Sequence, residues 1–235
     1  MCPNKSYNSM LVVLEGLDGA GKSTQTKKLR AYLEERLPGL EYIHFPRYDA
    51  PVYGSLISRF LKGEFGDNSQ VHPQLVALLF AEDRHGASSG MKATLSSGGN
   101  ILLDRYVYSN IAYQCAKMPD AQGAETLRQW IFETEYVDFG IPRPDLNIFL
   151  DVPICFVEKN LSSVREGDDR SYLEGSRDIH EADIEFQKRV QAMYRRQAEL
   201  DPSFIRVDCS DENGAMADAD TIFARIREVV DKHLA

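Results

Sequence analysis

Short, unbroken apolar runs alternate along the chain with longer stretches in which apolar residues recur three and four positions apart. Residues 10–14 (MLVVL), 42–45 (YIHF), 100–104 (NILLD), 145–152 (DLNIFLDV) and 204–209 (FIRVDC) are of the first kind. They are too short for helices and are closed by turn signals, so they predict five buried strands. Helical spacing fills the gaps. From Ser23 onward, Leu29, Tyr32, Leu33 and Leu37 mark one helix, which the pair Pro38–Gly39 stops. Leu56, Ile57, Phe60 and Leu61 mark a second, ended by Gly63, and Pro73 opens a third as a first-turn proline, with Leu75, Leu78 and Leu79 among its apolar positions. Further helices are predicted over 107–116, 125–138, 153–164, 179–200 and 218–234. Strands alternating with helices predict an α/β fold, a parallel sheet covered on both faces, with its binding crevice outside the carboxyl ends of the strands. With no repeat or low-complexity linker, residues 1–235 read as a single domain.

Composition narrows the partners. The net charge of −9 argues against a nucleic-acid polymer as the main partner. It leaves room for small phosphorylated ligands held by a local cationic cluster. Cys2, Cys115, Cys155 and Cys209 form no CxxC pair and read as free thiols in a reducing compartment. The N-terminal MCPNKSYNSM has no apolar core of a signal peptide, and the run LVALLFA is too short to cross a bilayer. A cytoplasmic protein without a membrane partner is expected.

The first chemical signal is GLDGAGKST, residues 16–24, which fits G-x-x-x-x-G-K-[ST] between a predicted strand and a predicted helix. Wrapping a polyphosphate with several backbone N–H groups demands positive φ angles and no Cβ in the way, which glycines provide. Gly16, Asp18, Gly19, Ala20, Gly21, Lys22, Ser23 and Thr24 are therefore the candidate nucleotide-phosphate-binding residues, with Lys22 as the point charge and the Ser23 hydroxyl as a ligand for Mg²⁺. Asp104 ends a hydrophobic strand, where P-loop proteins place a carboxylate that supports Mg²⁺, and Arg105 follows it into the crevice. The plainer reading of that pair is a capping aspartate with a salt-bridged arginine. Phe80 and Arg84 stand four apart on a predicted helix and share a face. A ring to stack and a guanidinium to donate suit a flat heteroaromatic base, although a core phenylalanine beside a solvated arginine would look the same. The charged stretch 165–178, with Arg165, Arg170 and Arg177, is either a solvated loop or a mobile lid that closes arginines over a transferring phosphoryl group.

Taken together, EGLDGAGKST, FPRY (45–48), LFAEDR (79–84), LDRYVYSNIAYQ (103–114), GIPRPDL (140–146) and the stretch leading into DIHEADIEFQKRV resemble the thymidylate kinases among the nucleoside monophosphate kinases, over about residues 10–210. The resemblance implies a P-loop kinase fold with a short mobile lid, ATP and Mg²⁺ as cofactors, a homodimer, and transfer of the γ-phosphoryl of ATP to dTMP. It also implies roles. Asp18 would contact the sugar 3′-hydroxyl, Arg47 and Arg105 the acceptor phosphate, Phe80 and Arg84 the thymine, with Tyr48, Asn110 and Gln114 nearby, while Tyr113 would crowd the 2′ position. Lys22, Arg105 and a lid arginine (Arg165 or Arg170, since the loop carries Gly19 where some members have an arginine) would be catalytic, and Ser23 and Asp104 would serve the metal. The helix around 78–79, Trp130 and Ile131 are candidates for a dimer face. A kinase of dUMP, dCMP or a nucleoside is the nearest alternative. A nucleotide sensor or GTP switch is a more distant one, because the guanine-reading N-K-x-D pattern is missing.

Overall fold

The apolar runs become strands because the middle of the sheet is closed to solvent on both faces. The structure, a computed structural model, describes residues 9–162, 178–181 and 183–234. Its strands are β1 (Leu11–Gly16), β2 (Leu40–His44), β3 (Asn100–Asp104), β4 (Leu146–Asp151) and β5 (Phe204–Asp208). They form one sheet in the order β2-β3-β1-β4-β5, parallel throughout. Every residue of β1, β3 and β4 is buried, so these strands read as continuous apolar runs rather than as an alternation. The edge strands β2 and β5 are partly exposed.

The helices are α1 (Lys22–Glu34), α2 (Tyr53–Leu61), α3 (Pro73–Ser96), α4 (Val107–Cys115), α5 (Ala121–Glu133), α6 (Ile154–Ser162), α7 (Ile184–Leu200) and α8 (Ala219–Leu234). Helices α1 and α8 pack on each other and on the sheet, while α3, α4 and α7 pack in series as a second group. The strand order reverses at β1, whose neighbours are β3 and β4, and this is where an open α/β sheet leaves its crevice. Register aligns Leu14 with Asp104 and Gly16 with Leu150, so the carboxyl ends of these three strands meet there.

Several predicted details shift. The fully buried residues of α3 include Val76, Ala77, Ala81, Ala87 and Met91. Of the predicted apolar positions, Leu78 and Leu79 are half-buried, Leu79 against the cluster of Ile57, Phe60, Leu61 and Val76, and Leu75 is turned to solvent at 62% exposure. Small and even polar residues are buried there (Asp83, Arg84 and Ser88) because this face turns toward other side chains rather than only onto the sheet. The helix predicted over 125–138 starts at Ala121, where the Asp120 carboxylate accepts from Gly123 N at 2.7 Å, and past Glu133 it widens into a π turn, Thr134–Asp138. Helix α7 starts at Ile184, not at 179, because Asp183 caps it by accepting from Glu185 N at 2.9 Å. Ile131, a candidate for a dimer face, lies in the core at 1% exposure. Cys115, Cys155 and Cys209 are free thiols, as expected, and Cys2 lies outside the described residues.

Candidate active site

The P-loop leaves β1 at Gly16 and enters α1 at Lys22. Gly19 and Gly21 hold φ of 73° and 71°, values that the absence of a Cβ permits. Gly21 is the N-cap of α1 and supplies no side-chain acceptor, so the first-turn N–H groups point outward uncapped. With the dipole of α1 behind them they form an anion site. Ser23 and Thr24 are exposed at its rim.

Lys22 Nζ reaches Asp104 Oδ1 at 2.5 Å, and His44 Nδ1 lies 3.3 Å from Oδ2. Burial would raise the Asp104 carboxyl, but the Lys22 ammonium and the His44 contact outweigh it and hold the group well below the usual carboxylate range. Both expected pieces of phosphate and metal chemistry therefore meet, as an ion pair at the ends of β3 and α1.

Arg105 adopts φ 68°, a left-handed conformation that a non-glycine residue keeps only when its surroundings demand it. Here they do. Its backbone N donates to Leu14 O at 3.0 Å. Its Nη1 donates to Gly16 O at 2.9 Å and to Ser109 Oγ at 3.1 Å, and its Nη2 donates to Asp18 Oδ1 at 2.6 Å. Tyr113 OH donates to the other Asp18 oxygen at 2.6 Å. Burial pushes the Asp18 carboxyl up, yet Arg105 and the Tyr113 hydroxyl bring it below its ordinary value. Below this cluster lies Glu15, which the sequence does not single out. It is fully buried in β1 and accepts from Tyr106 N at 2.8 Å, Ser109 N at 3.1 Å, Ser109 Oγ at 2.5 Å and Tyr194 OH at 3.0 Å. A carboxylate at the N-terminus of α4 serves its uncapped donors, and so fixes the turn that aims Arg105. Burial outweighs those hydrogen bonds and raises the Glu15 pKa.

An open cleft runs from Asp18 and Arg105 to Phe80 and Arg84, also lined by Phe45, Pro46, Tyr48, Leu61, Ser109, Asn110, Tyr113, Gln114, Asp178 and His180. Phe80 and Arg84 thus share a face, as their spacing requires. The arginine is not solvated, however. It is 3% exposed and forms a two-pronged ion pair with Glu135, from Nε at 2.5 Å and Nη2 at 2.7 Å. Glu135 carries no signal in the sequence, since it falls where helical periodicity breaks into the π turn. Arg47 is not among the residues lining the cleft. Asp83 holds it through its backbone N at 2.8 Å and Nε at 2.9 Å. Lys117 is half-buried beside the site, with Nζ 3.2 Å from His180 Nε2. The lid arginines Arg165, Arg170 and Arg177 lie outside the described residues.

The arrangement can hold a polyphosphate at one end, a flat base at the other, and bring a second anion between them to Arg105. The comparisons with known proteins identify the family. The thymidylate kinase family model matches residues 14–219. A thymidylate kinase of Mycobacterium tuberculosis is 33% identical over 187 residues, 79% of this chain and 84% of the relative. One of Plasmodium falciparum is 30% identical over 200 residues, 85% of this chain and 81% of the relative. Among solved structures, the thymidylate kinase of Candida albicans superposes with a TM-score of 0.69 at 25% identity, covering 97% of this chain and 94% of the other. The family-model match spans most of the chain, and relatives at 30% identity or above are covered over most of their length, so the chain belongs to the thymidylate kinase family.

Proposed function

We propose that the chain is a dTMP kinase, transferring the γ-phosphoryl of ATP to dTMP to give dTDP and ADP. The observation that carries this reading is one continuous cleft in which Asp18, Arg105 and Tyr113 stand at the P-loop end and Phe80, Arg84 and Asn110 at the other. An anion-binding end and a ring-and-guanidinium end in one cleft suit a nucleotide, whose sugar joins a phosphate to a base. The uncapped N-terminus of α1 and Lys22 hold the ATP phosphates, and Lys22 exchanges its partner Asp104 for them. Arg105 takes the acceptor phosphate with the N–H groups it does not spend on Gly16, Ser109 and Asp18. Asp18 accepts from the sugar hydroxyl and Tyr113 closes the space beside it. Phe80 stacks on the base and Arg84 donates to its carbonyl. The acceptor phosphate is already an anion at neutral pH, so these groups act by positioning and by neutralising charge rather than by removing a proton.

Mg²⁺ fits the donor set. Such sites take one or two oxygen ligands from the protein and the rest from phosphate and water, and the exposed Ser23 hydroxyl with the ionised Asp104 offers this. When bound, the metal supplies charge neutralisation on the phosphates. A homodimer and a cytoplasmic location belong to the same reading and rest on the family resemblance. Among the described residues no helix is long and apolar enough to cross a membrane.

The test is ADP release from ATP and Mg²⁺ with dTMP, dUMP, dCMP, dGMP and thymidine offered separately. Turnover that depends on dTMP, with dUMP weaker by about 10–200-fold for its missing methyl and thymidine inert, supports the reading. Turnover with a different acceptor, or none in protein that still binds ATP, rejects it.

A further inference from the structure

Glu135 is fully buried, and the function proposed above makes no use of it. The π turn aims it inward. Phe139 N reaches back five residues to Thr134 O at 2.8 Å, and Ile141 N donates to Glu135 O at 3.0 Å, which pins the backbone at that point. The carboxylate then serves two residues at once. Arg84 Nε and Nη2 donate to its two oxygens, and Asn110 Nδ2 donates to Oε1 at 2.9 Å. The second Asn110 amide proton goes to Ala77 O at 3.0 Å. Both partners of Glu135 line the cleft.

We infer that Glu135 is a positioning residue for base selection: it fixes Arg84 as a donor and Asn110 as an acceptor, so that together they take a 2,4-dioxopyrimidine and refuse an aminopyrimidine. This rests on the dTMP reading of the same cleft and deepens it. A carboxylate and a peptide carbonyl can only accept, so the Asn110 nitrogen must face both of them. Turning the amide over would set its oxygen against two acceptors. The oxygen therefore faces the other way, and it is buried without a hydrogen-bond partner, on a residue 3% exposed. An unpaired buried acceptor is costly until a ligand donates to it. Thymine offers an N3–H between two carbonyls, a donor for Asn110 beside an acceptor for Arg84. Cytosine offers the reverse, an N3 lone pair and an amino group, and meets an acceptor and a guanidinium. Arg84 spends Nε and one Nη2 proton on Glu135, which holds the guanidinium plane and leaves the remaining protons for the base.

The test is Glu135→Gln in the full chain. A neutral amide cannot accept from both Arg84 groups, and whichever way it turns a donor meets a donor. Steady-state kcat and KM are measured for dTMP, dUMP and dCMP at saturating ATP, with calorimetric binding of dTMP and dCMP and a melting curve to check the fold. Because Glu135 touches no transferring group, KM for dTMP should rise about tenfold or more while kcat stays within about threefold. The preference for dTMP over dCMP in kcat/KM should fall at least about tenfold. Glu135→Asp, which keeps the charge, should recover part of that preference, and it carries the test if Glu135→Gln does not fold. A preference unchanged within about twofold in folded variants overturns the inference and leaves the kinase reading standing. So does an equal loss with every acceptor in kcat and KM alike, the mark of a merely structural residue. No dTMP-dependent turnover by the unaltered chain would overturn the kinase reading, and this inference with it.

Discussion

Removing the Arg105 side chain is the sharpest test of the phosphate end of the cleft. Of its five N–H donors, two on Nη1 and one on Nη2 are committed to Gly16 O, Ser109 Oγ and Asp18. Nε and the second Nη2 proton remain for a phosphate. A hydrogen bond to a charged group is worth about 1.5–3 kcal/mol, so losing two costs about 3–6 kcal/mol, and at about 1.4 kcal/mol per decade the rate falls roughly 10²–10⁴-fold. Arg105→Ala should show that loss in kcat/KM for dTMP by steady-state ADP release. KM for ATP should stay within about threefold, because Lys22 and the loop amides bind that nucleotide. Arg105→Lys keeps the charge but cannot span Gly16, Ser109 and Asp18 while also presenting a fork, so it should recover only part of the loss. Melting curves ensure that the assay temperature lies below the transition, since Asp18 loses its cationic partner. A loss below about tenfold for Arg105→Ala in folded protein would remove Arg105 from the mechanism.

Burial pushes the Lys117 ammonium down to about 7, against the opposing pull of Asp178. A lowered lysine costs stability as pH falls from its unfolded value toward its folded one, so the native chain should gain about 2 kcal/mol over Lys117→Met between pH 7 and 9. That is roughly 4–8 °C in paired thermal melts, and parallel pH profiles would refute it. Asp18 and Asp104 are also lowered, both below the ordinary 3.8, but for a carboxylate a lowered value stabilises the folded chain. The stability they contribute is complete above about pH 5 and is lost as pH falls further, so Asp104→Asn should flatten the acid limb of a pH-dependent melt. A Cβ on Gly54 would lie 2.4 Å from Tyr48 O, a backbone atom that cannot swing aside. Gly54→Ala should therefore displace the segment carrying Pro46 and Tyr48 and raise KM for dTMP about tenfold with a smaller change in kcat. Unchanged kinetics would show that this segment does not contact the acceptor.

Whatever follows from short-range pattern was legible in the chain. The strand 100–104 was placed to the residue, because a buried central strand announces itself as a closed apolar run. The loop at 16–23 was legible because phosphate binding restricts residue type at fixed spacing. The register of α3 was not. Its buried face carries Ala77, Ala81 and Ala87 with Asp83 and Arg84, while Leu75 stands in solvent and Leu78 and Leu79 are half-buried, so a hydrophobic count misses the most buried side. Polar residues are buried there because their partners come from elsewhere in the chain, Arg47 for Asp83 and Glu135 for Arg84. Pairing across such distances leaves no local trace.

The two carboxylates that the sequence hid, Glu15 and Glu135, share one logic. Each is fully buried, each sits behind an arginine that faces the cleft, and neither lines the cleft itself. Glu135 forms a buried ion pair with Arg84, and such a pair contributes little net stability, because desolvation offsets the attraction. Glu15 instead meets the first-turn donors of α4 and the Tyr194 hydroxyl. Net stability alone therefore gives little reason to keep a charged pair at Arg84, and Glu15 caps a helix that an uncharged acceptor could also cap. What a buried acceptor does supply is direction. Glu15 holds the first turn of α4, beside which Arg105 is aimed into the cleft, and Glu135 holds the plane of Arg84 and the face of the Asn110 amide. An arginine left to itself samples many rotamers and loses that entropy on binding, whereas one already fixed by a carboxylate does not. The distinction can be measured. If direction is their purpose, Glu15→Gln should lower kcat with dTMP through Arg105, and Glu135→Gln should raise KM through the base. If packing is their purpose, both should lower the melting temperature and leave the two kinetic constants in their original proportion.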